Sequence, residues 1–227
     1  MCFLVAGPLL AQPTYVNGAV STSSTTASTS CAVTYSPTAG NTIVGWAAGV
    51  GVDVSSVTDS ASSTYIRLTP ANNHTITGSL WGLLSVPSGV TSITFTMASS
   101  TRRACGVVEY SGVRAFGAYD GTATASSASP QDSITTHDNN DVIVVGMSRE
   151  GTSTWSTHSG VGTLRKNLAG GGSTTPGIGL SDNTSATPAS VSAGATISSS
   201  GTWIASGVEL RAVVAGGVNV GGFEIGP

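Results

Sequence analysis

Ser92-Ile93-Thr94-Phe95-Thr96-Met97 alternates hydroxyl and apolar residues with period two, the pattern of a strand that buries one face, here Ile93, Phe95 and Met97. Cys31-Ala32-Val33-Thr34-Tyr35 alternates in the same way. Two segments, Thr42 to Ala48 and Asp141 to Met147, are short and continuously apolar, as strands covered on both faces are, and are predicted to form the centre of the core. Further strands are expected at Thr64 to Leu68, Leu80 to Val86, Cys105 to Tyr110, Thr163 to Leu168, Ala195 to Ser199 and Thr202 to Leu210, separated by Gly, Pro, Asn, Asp and Ser punctuation. The Ser, Thr, Ala or Gly-rich stretches Thr22 to Ser30, Thr122 to Ser129 and Gly170 to Thr175 read as loops. No apolar stripe of helical period occurs.

These elements predict an all-β fold, an antiparallel two-sheet sandwich of jelly-roll-like form, occupying residues 13–212 as one domain. Ile43, Val44, Trp46, Phe95, Val107, Ile143, Val145, Trp203 and Ile204 are expected to supply much of its core. Gly40 to Trp46 and Asn140 to Gly146 both place a turn directly before a buried strand, an echo that chance resemblance between two buried strands explains.

Composition sharpens the picture. The 227 residues include 66 Ser or Thr and 30 Gly, and 8% are charged against a globular norm of about 25%, which excludes a helical bundle. A net charge of -3 with no basic cluster lacks the electrostatic footprint that nucleic acid or an anionic membrane surface requires. No segment reaches about 18 uninterrupted apolar residues, so membrane insertion of the mature chain is not expected. Residues 1–12 form an apolar run ending in a small residue, like the end of a secretory signal but without its basic start, and read either as a signal-peptide remnant or as an apolar N-terminal strand. With Cys2 in that run, Cys31 and Cys105 remain as an even pair, expected to form a disulfide in an exported chain; two buried free thiols are the alternative.

Candidate chemistry is sparse. His74, His137 and His158 lie in polar, turn-like segments, and Ser is so abundant that its proximity to any His carries no information. The segment Gly146 to Gly151 around Ser148 lacks the spacing of a nucleophile elbow, and no catalytic residue is assigned. Glu109 lies within an apolar strand whose alternation turns it inward, where burial would raise its pKa; a structural role with Arg67, Arg102 or Arg103 is favoured. Asp138, Asn139 and Asp141 concentrate oxygen ligands in one segment and are the candidate calcium site, although such residues also make ordinary turns; no other cofactor is expected. Trp155, among small polar residues, is the aromatic expected on a loop, where with His158 it could contact a glycan. In the Gly- and Val-rich tail, residues 213–227, Val218, Val220, Phe223 and Ile225 sit between glycines and could add as a strand to an exposed edge, the tail otherwise being a linker or one more strand of the sandwich.

Thr38-Ala39-Gly40-Asn41-Thr42-Ile43-Val44, Val57-Thr58-Asp59-Ser60 followed by Thr64-Tyr65, Trp81, Val90 to Phe95, Glu109-Tyr110-Ser111-Gly112-Val113 and Trp203 to Leu210 occur in an order that resembles a loosely defined group of bacterial secreted and cell-surface β-sandwich modules. Where such modules usually carry Gly-Asn before Thr-Tyr, this chain has Ser62-Ser63. The resemblance implies a jelly-roll-like or Ig-like sandwich displayed outside the cell, and carries over no catalytic residue or ligand. The resulting expectation is a secreted or cell-surface module, non-enzymatic, acting in structure or adhesion by display or self-assembly, as in a surface layer or filament. Its partner would be itself or an extracellular glycan. A carbohydrate-binding module is the alternative, and a hydrolase with an unrecognised site the third reading.

Overall fold

Thr and Val, with β-branched side chains that favour a pleated surface, recur through the strands, and glycine and serine let neighbouring layers approach closely. The computed structural model describes residues 10–21, 24–69, 75–120 and 123–214, and among them it contains strands and no helix. The strands are β1 (Leu10–Ala11), β2 (Thr14–Val20), β3 (Ser24–Thr34), β4 (Thr42–Val50), β5 (Val54–Asp59), β6 (Ile66–Arg67), β7 (Ile76–Leu83), β8 (Ser92–Ser111) and β9 (Val113–Tyr119). They continue as β10 (Ala123–Ser127), β11 (Gln131–Thr135), β12 (Asp141–Glu150), β13 (Trp155–Thr157), β14 (Thr163–Leu168), β15 (Pro176–Ser185), β16 (Ser190–Ile197) and β17 (Gly201–Val214).

One sheet runs β2-β8-β4-β7-β6, with β3 and β5 also on β8; a second runs β1-β17-β12-β15-β14, with β9 and β10 also on β17; a third runs β11-β16-β13. All pairings are antiparallel. The expected antiparallel sandwich is present, and it is built twice. Val44, Trp46, Leu80 and Val108 from the first sheet meet Val144, Ile178, Leu180 and Val208 from the second in a central core. The outer face of the first sheet is covered by the early half of β8 with β3 and β5, enclosing Ile43, Phe95, Cys105 and Val107. The outer face of the second is covered by the β11-β16-β13 layer, enclosing Ile143, Val145, Met147 and Trp203. Each of the nine core residues expected from the sequence is buried.

Register shows that the two halves correspond residue by residue in their central strands, β4, β7 and β8 against β12, β15 and β17. Ile43 faces Glu109 and Leu83, while Ile143 faces Glu209 and Asn183; Val50 faces Ile76, while Glu150 faces Pro176. Each partner in the second half carries a number 100 higher. Strand β8 of the first half corresponds to β16 and β17 of the second, β5 to β13, β7 to β15 and β6 to β14. The echo between Gly40 to Trp46 and Asn140 to Gly146 is therefore not chance: these segments introduce equivalent central strands.

Several sequence expectations change. Ser92 to Met97 and Cys105 to Tyr110 are one 20-residue strand that passes from the outer layer to the inner one. Two expected loops are strands, β3 and β10, because their backbones pair with β8 and β17 while their hydroxyl and alanine side chains remain mostly exposed and show no apolar alternation. Turn Asp59 to Ser63 closes without glycine: Ser62 adopts φ 64°, and the Asp59 carboxylate accepts the amides of Ala61 (2.9 Å) and Ser63 (3.0 Å). Leu10-Ala11, inside the N-terminal apolar run, pair with Val214-Val213.

Candidate functional site

Glu109 and Glu209 occupy equivalent places and do equivalent work. Glu109 is 1% exposed; its Oε1 accepts the Thr38 amide (3.0 Å) and Asn41 Nδ2 (2.5 Å), and its Oε2 accepts the Tyr35 hydroxyl (2.5 Å). Burial works to raise its pKa, but these donors outweigh it and hold the carboxylate below its usual range, the reverse of the expected direction. None of the three expected arginines is its partner. Glu209, fully buried, accepts the Ala118 amide (2.7 Å) and the His137 amide (2.5 Å), with His137 Nδ1 at 3.1 Å. Both glutamates thereby anchor the turn that precedes a central strand, β4 or β12. Gly117 permits the second anchor, since a Cβ there would lie 2.0 Å from Glu209 Oε2.

The calcium candidates sit around this second anchor. Asp138 Oδ2 pairs with Arg114 (2.5 Å) and with Arg211, and the two guanidinium groups outweigh partial burial to lower its pKa. Asn139 is exposed in the turn. Asp141 is fully buried, accepts the amides of Asp138 (2.9 Å) and Ala212 (3.0 Å), and hydrogen-bonds Glu209; burial and that neighbour push it up to about 6. The arrangement is an ion-pair and amide network rather than an oxygen cage. Among the described residues no group of three or more His, Cys, Asp or Glu is placed to hold a metal ion.

The glycan candidates do not form a displayed pair. Trp155 is 7% exposed, a correction to its expected place on a loop. It is buried because Gly179 lies beneath it, where a Cβ would be 2.9 Å from Cε3. His158 is half-buried and opens the turn whose Val161 amide donates to its carbonyl at 3.2 Å. Ser148, whose segment lacks the nucleophile-elbow spacing, is fully buried. Cys31 and Cys105 form the expected disulfide, with Cα atoms 6.1 Å apart. Val218, Val220, Phe223, Ile225 and His74 lie outside the described residues.

Asp132 is a buried acid the sequence did not single out. It is 6% exposed on β11, its Oδ1 accepts the Ser133 amide at 2.8 Å, and burial together with the Asp120 charge pushes it up to about 7 against the partial help of the Ser133 and Gly207 amides. An acid that stays protonated in the fold but ionises when unfolded stabilises below its ordinary pKa and loses that contribution as pH rises through the folded value. Stability is therefore expected to fall between about pH 4 and pH 7, by up to about 4 kcal/mol from this group. Urea denaturation from pH 4.5 to 8 should show a flatter profile for Asp132→Asn; an unchanged slope contradicts this assignment.

The feature that sequence reasoning missed entirely is a groove joining segments from both halves. It has a volume of about 420 Å³ and is lined by Ile66, Arg67, Leu68 and Thr69 on one side and by Phe116, Gly117 and Tyr119 on the other, the Arg67 guanidinium being paired with Asp53 at 2.6 Å. Ile66 is 54% exposed and Tyr119 63%, and with Val16 at 44% they are the exposed large hydrophobics among the described residues. At the equivalent place on the opposite side, where β2 meets β14, the junction is closed: the Arg165 guanidinium lies 4.6 Å from the Tyr15 ring centre, and Gly18 abuts Lys166. The closed side uses the six residues of β14, and the groove side has only the two of β6.

Among the described residues no helix is long and apolar enough to cross a membrane. No protein-family model, no curated protein and no solved structure matches the chain, and the resemblance to secreted modules is supported as far as its all-β sandwich architecture.

Proposed function

We propose that this chain is a non-enzymatic structural module of the cell exterior that assembles with copies of itself, the tail of one copy adding along the β6/β9 groove of the next. The open groove carries the reading: the fold covers the equivalent junction with a six-residue strand and leaves this one with two exposed apolar side chains. An extended segment fits such a place by backbone pairing along the edge and apolar side chains in the cleft. The occupant is residues 215–227, which follow β17, hold Val218, Val220, Phe223 and Ile225 among glycines, and carry a single charged side chain, Glu224, so that little desolvation opposes their burial. The buried disulfide belongs with an oxidising compartment, and the low charge density weakens repulsion between copies. The buried acids Glu109 and Glu209 and the partly exposed Asp138 are taken up by amides, hydroxyls and guanidinium groups, which favours a structural over a hydrolytic role.

Sedimentation velocity over a concentration series is expected to show association with a Kd of about 1–10 μM, weakened at least about tenfold, or about 1.4 kcal/mol, by Ile66→Ser with Tyr119→Ser. A monomer at every concentration, or association that the two substitutions leave unchanged, rejects the proposal.

A further inference from the structure

A second depression lies at the other end of the strands. Its Ile76 and Thr202 are six residues from the groove level at Gly82 on β7 and Val208 on β17, about 20 Å at strand rise. It has a volume of about 390 Å³, inside the range of about 300–1,000 Å³ that small-ligand sites occupy. Arg149 and Glu150 both line it, Thr75, Ser173 and Thr202 supply hydroxyls, and the buried Ile76, Trp203 and Ile204 close it from below. A hollow of about 300 Å³ continues from it, sharing Arg149, Glu150 and Ser173 and extending over Ser153, Ser198 and Ser199.

In the duplicated fold this pair of charged residues has no charged counterpart. The residues equivalent to Arg149 and Glu150 are Gly49 and Val50, which hold the same register in the first half. At that equivalent corner Arg102, the counterpart of Thr202, reaches across to Thr174. In the second half the crossing side chain is replaced by a short hydroxyl, and the corner is open. The guanidinium is held in place: Arg149 Nε donates to the Glu150 carbonyl at 2.8 Å, and Nη1 donates to the Ser199 carbonyl and, at 3.2 Å, to its hydroxyl. Gly201 gives it room, since a Cβ there would lie 2.9 Å from Nη2. Trp203 is fixed by its Nε1 donating to Ser127 Oγ at 3.0 Å.

We infer that this trough binds a neutral saccharide chain. A guanidinium and a carboxylate lining one trough offer donors and acceptors with no net charge, which suits sugar hydroxyls and gives no preference for an anion. The continuing hydroxyl-lined hollow gives space for more than one ring. The site is separate from the assembly groove, and it is not at Trp155.

The probes are cellopentaose, maltopentaose and chitopentaose, titrated at up to millimolar concentration while the Trp203 indole and Arg149 Nε resonances are followed by NMR. At least one is expected to shift both, with affinity reduced at least tenfold by Glu150→Gln and by Arg149→Met and unchanged by Tyr119→Ser. Glu150→Gln serves as the second variant because Arg149 also holds Ser199. Absence of binding by all three, binding that Glu150→Gln leaves intact, or displacement by sulfate overturns the inference. Association measured on Glu150→Gln is expected to match the parent protein, so failure here is distinguishable from failure of the assembly reading.

Discussion

Trp46→Ala is expected to lower stability by about 3–5 kcal/mol, because it empties the largest fully buried side chain from the junction of the two halves. The indole lies against two glycines: a Cβ at Gly146 would be 2.4 Å from Cε3, and one at Gly78 would be 2.3 Å from Cζ2. Gly146 is the second half's own counterpart of Trp46, so the two central strands meet as knob and hollow at a single duplicated position. Filling the hollow should also be harmful, with Gly146→Ala costing about 1–3 kcal/mol through overpacking against a ring that cannot swing away. Combining Gly146→Ala with Trp46→Leu should relieve the clash, so the double variant is expected to be more stable than the sum of the two single losses by at least about 1 kcal/mol. Chemical denaturation of the four proteins measures this. A Trp46→Ala loss below about 1 kcal/mol, or strictly additive losses, contradicts the packing described.

Breaking the Cys31–Cys105 bond is expected to cost about 2–5 kcal/mol. The two residues are 74 apart in sequence, so their cross-link removes much of the unfolded chain's freedom. It also ties β3, in the outer layer, to the inner half of β8, with Phe95 and Val107 in the same apolar cluster. Ser21 lies beside the bond, its hydroxyl accepting the Cys105 amide at 3.2 Å. Alkylation of protein isolated without reductant should leave Cys31 and Cys105 unmodified, and denaturation with and without reductant gives the stability difference. Two alkylated thiols in the unreduced protein would remove the bond from the account.

Much of this architecture is legible in the chain because burial writes itself as alternation. Ile93, Phe95 and Met97 show one buried face, and Ile43 to Ala48 and Ile143 to Met147 show two. Strand β15 is not legible because its buried polar residues are satisfied by distant partners: Ser181 donates to the Gly194 carbonyl at 2.7 Å, and Asp182 accepts the Tyr110 hydroxyl at 2.7 Å and Arg165 Nε at 2.8 Å. The duplication is obscured by its own packing, since Trp46 requires that its counterpart be Gly146. Trp155 was misplaced because its sequence neighbours are small and polar, while the glycine that receives it, Gly179, lies on another strand. Both clefts are lined from both halves, one by Ile66 and Phe116 and the other by Ile76 and Ile204, and no local pattern announces such meetings.

Donation of a tail into a neighbour's groove separates the donor from the acceptor, so each can be disabled alone. A chain ending at Val214 keeps β17 and the groove but lacks the donor; the full chain carrying Ile66→Ser and Tyr119→Ser keeps the donor but lacks the acceptor surface. Sedimentation velocity on the two variants, separately and mixed in equal amounts, is the direct measurement. The account predicts two monomers that combine into a one-to-one complex when mixed. A mixture that stays monomeric, or a tail-less chain that associates as the intact protein does, contradicts it.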